Sequence, residues 1–152
     1  MPPPPHSPPP LGKRNVHVGV DVMCPAGVNI YAPTDGVVLF AGYNDAEGDY
    51  GGVVITKHDL ADSGSSLRAF YVLYGHLNKL DAASWASGAP ISKGGVVARV
   101  GKKSENGGWE PHLHLQVQLT EPTVRDMPGV VAEVDEERAL LEFPDPTVLL
   151  GL

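Results

Sequence analysis

Two stretches of the chain alternate apolar and polar residues with period two. In residues 111–119, Leu113, Leu115, Val117 and Leu119 fall on one side of an extended strand, and His112, His114, Gln116 and Gln118 on the other. In residues 15–22, four valines take one side, while His17, Gly19 and Asp21 take the other. A helix also brings positions 17 and 21 together, but the β-branched run and the central glycine favour a strand. Gly19 is expected to leave open space between His17 and Asp21, suited to an ion or a substrate backbone.

Between these stretches the pattern predicts short strands punctuated by turns. Strands are expected over 29–32, 37–43, 53–58, 67–77 and 96–100, with tight turns at Cys24–Gly27 and Pro33–Gly36. Residues 44–52 and 101–110 read as Gly-rich loops, 59–66 as a flexible loop, 78–87 as a short helix or turn, and 88–95 as turns. Residues 130–141 are helix-compatible, and the apolar end, 143–152, is expected to dock on the body.

Composition supports a mainly β fold. The 152 residues suffice for one domain with a real core, and 18 Gly with 15 Pro favour short strands and turns over helices. The expected architecture is a single antiparallel sheet or sandwich-like domain with a groove. Its expected boundaries are a Pro-rich, disordered leader over 1–13, the domain over 14–120, and an acidic extension over 121–152. The formal charge of −7 is uneven. Residues 1–120 carry ten acidic and nine basic side chains; the remainder carries eight and two. The acidity therefore belongs to the tail, and no basic stripe points to nucleic acid. No apolar run reaches the ~20 residues of a membrane-spanning helix. The start lacks the apolar core of a signal peptide, so the expectation is a cytoplasmic protein as encoded, or an extracytoplasmic one if the chain is part of a longer chain with linked domains or is exported by another route. The single cysteine, Cys24, excludes an intrachain disulfide and a multi-thiolate metal site.

The chemistry-bearing residues are His17, Asp21, His112 and His114. Zinc accepts imidazole nitrogen and carboxylate oxygen, and a catalytic site keeps three protein ligands with one position open. Asp21 and two of the three histidines supply that number. The competing explanation, polar residues on solvated strand faces, has to account for two alternating strands that both carry ligand-type side chains.

Three motifs in order, His17-Val-Gly-Val-Asp21, Tyr74-Gly-His76-Leu77 and Pro111-His-Leu-His114, resemble peptidase family M23, the LytM/lysostaphin-type zinc endopeptidases of bacterial cell walls. Pro25-Ala-Gly27, Ala32-Pro-Thr-Asp-Gly-Val-Val38 and Tyr50-Gly-Gly-Val-Val-Ile-Thr-Lys-His58 also match, so the likeness spans about residues 14–120. Either HxxxD or HxH alone is a weak signal; three motifs in order are specific. The resemblance implies a duplicated hybrid motif fold and one zinc per chain, held by His17, Asp21 and His114. It implies His112 as the non-ligand catalytic histidine, assisted by His76, and hydrolysis of peptidoglycan stem peptides or cross-bridges. In that chemistry zinc polarises the scissile carbonyl and activates water, while the two histidines share proton transfer and oxyanion stabilisation.

Tyr50, Tyr74 and Trp109 are candidate groove-lining aromatics, with the loop before the histidine strand as the better candidate wall. Cys24 reads as a small buried hydrophobe, His58 as a structural histidine and His6 as exposed. The Gly-rich loops carry no phosphate-binding pattern. The missing export signal and the C-terminal end depart from a typical member. The Asn106-Gly-Gly-Trp-Glu-Pro-His112 stretch and that C-terminal end resemble M23-type modules embedded in larger cytoplasmic proteins beside kinase-like and aminotransferase-like domains. Two competing readings follow: a non-catalytic binding or regulatory module with this fold, and a structural zinc domain closed by a fourth ligand such as Cys24 or His58.

Overall fold

The computed structural model describes residues 14–17, 19–45, 48–60, 69–119, 121–122 and 130–132. The strands are β1 (Arg14–His17), β2 (Val20–Met23), β3 (Asn29–Tyr31), β4 (Gly36–Asn44), β5 (Gly51–Asp59) and β6 (Ala69–Leu77). After helix α1 (Lys79–Ala83) come β7 (Pro90–Ile91), β8 (Val96–Arg99), β9 (His112–Gln118) and β10 (Val130–Ala132). The fold is mainly β and antiparallel, as the turn-rich composition predicts.

The strand expected over 15–22 is two strands in two sheets. Gly19 breaks it with a φ of 98°, a left-handed conformation that a side chain resists. Nor is the space beside Gly19 open. A Cβ there would lie 2.6 Å from the Leu115 carbonyl oxygen and 3.2 Å from the His114 ring. Beyond the break, β1 pairs with β10, so residues 130–132 form a strand where helix-compatible sequence was read. A β-branched pair there finds a partner strand, and pairing overrides a weak local preference. The leader and the end, 143–152, lie outside the described residues.

Six strands form the main sheet in the order β2-β9-β6-β5-β4-β7, and β3 and β8 form a separate two-stranded ribbon. The short β7 falls within the stretch read as turns, pairing Ile91 with Gly36 and Pro90 with Val37. Helix α1 is capped by Asn78, whose Oδ1 accepts from the Asp81 amide at 3.0 Å. Asp81 in turn receives Arg99 through two guanidinium nitrogens, at 2.8 and 2.9 Å, fastening the helix to β8. Among the described residues no helix is long and apolar enough to cross a membrane.

Both faces of the main sheet are covered. On one face Val38, Val54, Val72, Tyr74, Leu113, Leu115 and Val117 pack with Ala82 and with Val97 and Ala98 of β8. On the other, Tyr50 packs with Val53, Ile55, Tyr71 and Leu73. Every residue of β9 is therefore buried, its histidines and glutamines as well as its apolar positions. The alternation sorts the side chains as predicted; it does not put the polar half in water.

His58 lies on the apolar-core face, fully buried and stacked on Phe70 at 5.0 Å. Its Nδ1 bonds the Asp35 carbonyl at 3.0 Å and its Nε2 pairs with Thr56 Oγ1 at 2.7 Å. With Nδ1–H donating to the carbonyl, Nε2 accepts from the hydroxyl, so a neutral ring satisfies both contacts. Burial lowers its pKa from 6.5, against smaller opposing contributions from the Asp35 carbonyl and Asp59. The folded chain thus holds fewer protons here than the unfolded chain. The contribution is whole above the ordinary histidine pKa and is lost as pH falls below it toward the depressed value. In chelator, the urea stability of the chain is expected to fall from about pH 7 to pH 5, and His58→Gln to flatten that slope. An unchanged slope in the variant would refute this role.

Candidate active site

Register brings Asp21 and the histidine pair together. In the antiparallel ladder of β2 and β9, Asp21 lies opposite His114 and Met23 opposite His112. Side chains directly opposite each other share a face, so all four project from the side away from the main apolar core. Asp21 Oδ1 lies 3.0 Å from His114 Nδ1 and 3.7 Å from His112 Nε2. Strand β2 is an edge of the sheet, and the Asp21 side chain keeps 39% of its surface exposed while both imidazoles are buried.

His76 joins them against the alternation of its own strand. On β6, Tyr74 points into the main core, and strict period two would send His76 the same way. Instead His76 has φ 62°, left-handed for a residue with a side chain. Its backbone is clamped there: its N–H donates to the Tyr50 carbonyl at 2.7 Å, and its carbonyl accepts from Gly101 N–H at 2.9 Å. The His76 ring consequently sits 4.3 Å from that of His112 and 6.1 Å from that of His114, centre to centre. Gly75, opposite His114 on β9, makes room for Tyr50: a Cβ at Gly75 would lie 2.6 Å from the Tyr50 ring. Tyr50 packs against both His114 (5.1 Å) and His76 (5.6 Å).

Each of the three imidazoles has one nitrogen held by an oxygen at its outer edge. His76 Nδ1 donates to the Asn106 carbonyl at 2.8 Å. His112 Nδ1 donates to the Glu110 carbonyl at 2.7 Å. His114 Nε2 pairs with Gln116 Oε1 at 2.8 Å. With Nδ1 as the protonated nitrogen, His76 and His112 carry lone pairs on Nε2. Burial, with smaller contributions from His112 and His114, pushes the His76 imidazole down to about 4 against the opposing pull of the Asn106 carbonyl and Asp21. At neutral pH it is therefore uncharged and able to accept a proton.

The other sequence candidates fall in different places. His17 ends β1, its backbone opposite Val130; its side chain lies outside the described part of the structure. Tyr74 is 1% exposed in the main core, on the other face of the sheet, so it lines no groove beside these histidines. Trp109 does lie at the site, 47% exposed and 6.2 Å from His76. Its amide donates to Asn106 Oδ1 at 2.9 Å, so Asn106 holds both Trp109 and the His76 imidazole. Cys24 packs against the main core, its Sγ 3.4 Å from the Val22 carbonyl, and burial pushes its thiol up. Neither Asn106 nor Gln116 was marked as functional by sequence reasoning. Gln116 had a signal, since it shares the polar face of β9 with both histidines; Asn106 had only its place in the loop expected to form a groove wall.

Among the described residues, no three His, Cys, Asp or Glu side chains group to hold a metal ion. The donor chemistry of the Asp21–His114 pair nevertheless fits a cation. His114 lies between two oxygen acceptors, Asp21 Oδ1 and Gln116 Oε1, and a neutral imidazole has one N–H. With Nε2–H given to Gln116 Oε1, a cation on the Asp21 side would satisfy the Nδ1 lone pair and the carboxylate together. Tetrahedral zinc ligands at 2.0–2.1 Å are about 3.3 Å apart, close to the 3.0 Å found here.

Solved structures share this fold. The catalytic domain, as a mutant, of the prophage-encoded M23 protein EnpA from Enterococcus faecalis matches at 22% identity and TM-score 0.51, over 74% of this chain and 75% of that one. The catalytic domain of the antimicrobial peptidase lysostaphin from Staphylococcus simulans matches at 18% identity and TM-score 0.53, over 88% of each chain. A putative M23 peptidase from Pseudomonas aeruginosa matches at 22% identity and TM-score 0.56, over 89% of this chain but 44% of that one. No curated protein sequence matches. Residues 15–125 match the sequence profile of Peptidase family M23, a span that takes in β1 through β9 and all the histidines and the aspartate of the site, and the chain belongs to that family.

Proposed function

We propose that the chain is a zinc-dependent endopeptidase that hydrolyses peptide bonds in peptidoglycan stem peptides or cross-bridges. The observation that carries this reading is the convergence of Asp21 and His114, 3.0 Å apart, beside two further imidazoles whose outer nitrogens are already bonded. His17, Asp21 and His114 would hold the zinc, which when bound polarises the scissile carbonyl and acidifies a water molecule. Support for His17 comes from its position in the motif and from β1 leading directly into the break at Gly19.

His112 and His76 each give Nδ1 to a main-chain carbonyl, which leaves Nε2 of two adjacent rings for the reaction. One takes the proton of the attacking water as the C–O bond forms, and returns it to the amine nitrogen as the C–N bond breaks. The other, once protonated or donating through water, stabilises the oxyanion. The carbonyls of Glu110 and Asn106 keep both rings from turning, so orientation is set before substrate arrives. Trp109 offers an exposed aromatic face to an extended peptide, and Tyr50 backs the site from within.

Metal analysis of the purified chain is expected to find one zinc, and chelation to abolish cleavage of peptidoglycan fragments followed by mass spectrometry. Full activity in a metal-free chain would overturn the proposal. Zinc binding without hydrolysis across a broad muropeptide panel would favour the non-catalytic module instead.

His114→Ala should lose both metal and turnover. His112→Ala should keep zinc and lose at least about 100-fold in kcat, the contribution of a general acid–base group. Equal zinc loss in both variants would place His112 among the ligands. For Trp109→Ala the expected change is a higher KM with kcat nearly unaltered; a fall in kcat alone would remove it from the substrate wall.

A further inference from the structure

We infer that Gln116 is a positioning residue that decides which nitrogen of His114 faces the metal. The inference rests on the reading of His114 as a ligand. An imidazole can ligate through either nitrogen, and the hydrogen bond made by the other one selects between them. At this site the three histidines are not oriented alike. His76 and His112 give Nδ1 to main-chain carbonyls and turn Nε2 toward the centre. His114 is reversed, with Nδ1 at Asp21 and Nε2 at Gln116 Oε1, 2.8 Å away.

Gln116 is the one outer partner of the three that acts through a side chain. It stands two residues along β9 from His114, on the same face. It is 0% exposed and lies opposite Leu73 of β6, where no bulk solvent competes for its amide. With its oxygen accepting from Nε2–H, Nδ1 is left as the lone-pair nitrogen on the Asp21 side, the arrangement that a cation held between Nδ1 and the carboxylate requires.

A second, independent constraint acts on the same edge of the ring. The His114 Cε1 and Nε2 atoms lie 3.2 Å from the position a Cβ at Gly19 would occupy. The missing side chain on the strand break and the amide on β9 together define the slot for the Nε2 edge. The slot accepts an N–H pointing at an oxygen. A ring rotated to offer Nε2 to the metal would leave Gln116 Oε1 facing a C–H in a fully buried place.

The test uses the full chain with zinc as the only probe. Imidazole nitrogen shifts in the zinc-loaded wild type should show His114 metallated at Nδ1 with Nε2 still protonated. Competition against a chromophoric chelator should show Gln116→Met weakening zinc by about 10–100-fold, the usual effect of removing an outer partner of a ligating histidine. Gln116→Glu keeps the acceptor and should return affinity to within tenfold of wild type or above it. Metallation at Nε2 in the wild type, or undiminished zinc affinity in a folded Gln116→Met chain, overturns the inference. If Gln116→Met does not fold, the wild-type shifts still decide. Failure of the underlying reading looks different: the wild type takes no zinc, or His114→Ala takes it as well as wild type does.

Discussion

The site depends on one register. Asp21 meets His114 because Val20–Met23 lies antiparallel to His112–Gln118 with those two residues opposite each other. A slip of one residue would turn Asp21 to the other side of the sheet and set Val20 or Val22 beside the imidazoles. What prevents the slip is the apolar half of the same ladder. Val20 pairs with Leu115 and Val22 with Leu113, and both pairs belong to the main core. The hydrophobic effect holds the register, and the register places the carboxylate. The energy of the core and the geometry of the site come from alternate residues of the same two strands.

His76 shows the opposite relation between fold and site. Its strand, left to alternate, would bury the imidazole beside Tyr74. A left-handed backbone turns it to the other face, a conformation that costs on the order of 1–3 kcal/mol for a residue with a side chain. Two backbone hydrogen bonds, from the His76 N–H to the Tyr50 carbonyl and from the Gly101 N–H to the His76 carbonyl, hold the distortion, and Leu77 beyond it is again fully buried. Strain of this kind is stable only where the surroundings over-determine it, and here the surroundings are the loops that also carry Tyr50 and Asn106.

The contrast sets what could be read from sequence. The histidine strand was legible because its period-two pattern is local and is preserved intact as β9. The family likeness and the antiparallel β class were legible for a similar reason, since the glycines and short motifs stand in order along the chain. Other features depend on contacts remote in sequence. Gly19 read as open space because the His114 ring that fills it is 95 residues away in the chain. Residues 130–132 read as helix-compatible because their strand partner is at the other end of the domain. Tyr74 looked like a neighbour of His76 because sequence carries no mark of the backbone reversal that separates them. Burial of the polar face was hidden as well: alternation says which residues share a side, and only the packed second face says that the side is dry.

That dryness divides the site into two unequal parts. His112, His114 and Gln116 stand on a strand flanked by β2 and β6 and backed by core, with one ring nitrogen of each histidine tied to an oxygen. These groups cannot adapt to a ligand without disturbing buried packing. Asp21 is on the edge strand and Trp109 in a loop, both substantially exposed. On the proposed function, an incoming peptide would approach along the Asp21–Trp109 side and fit itself to a fixed set of imidazoles. Adaptation to different peptides would then fall to the loop, where Trp109 could change while Asn106 keeps His76 in place. On that reading, orientation of the reacting groups and choice of substrate belong to different elements: the first to a buried central ladder, the second to its exposed rim.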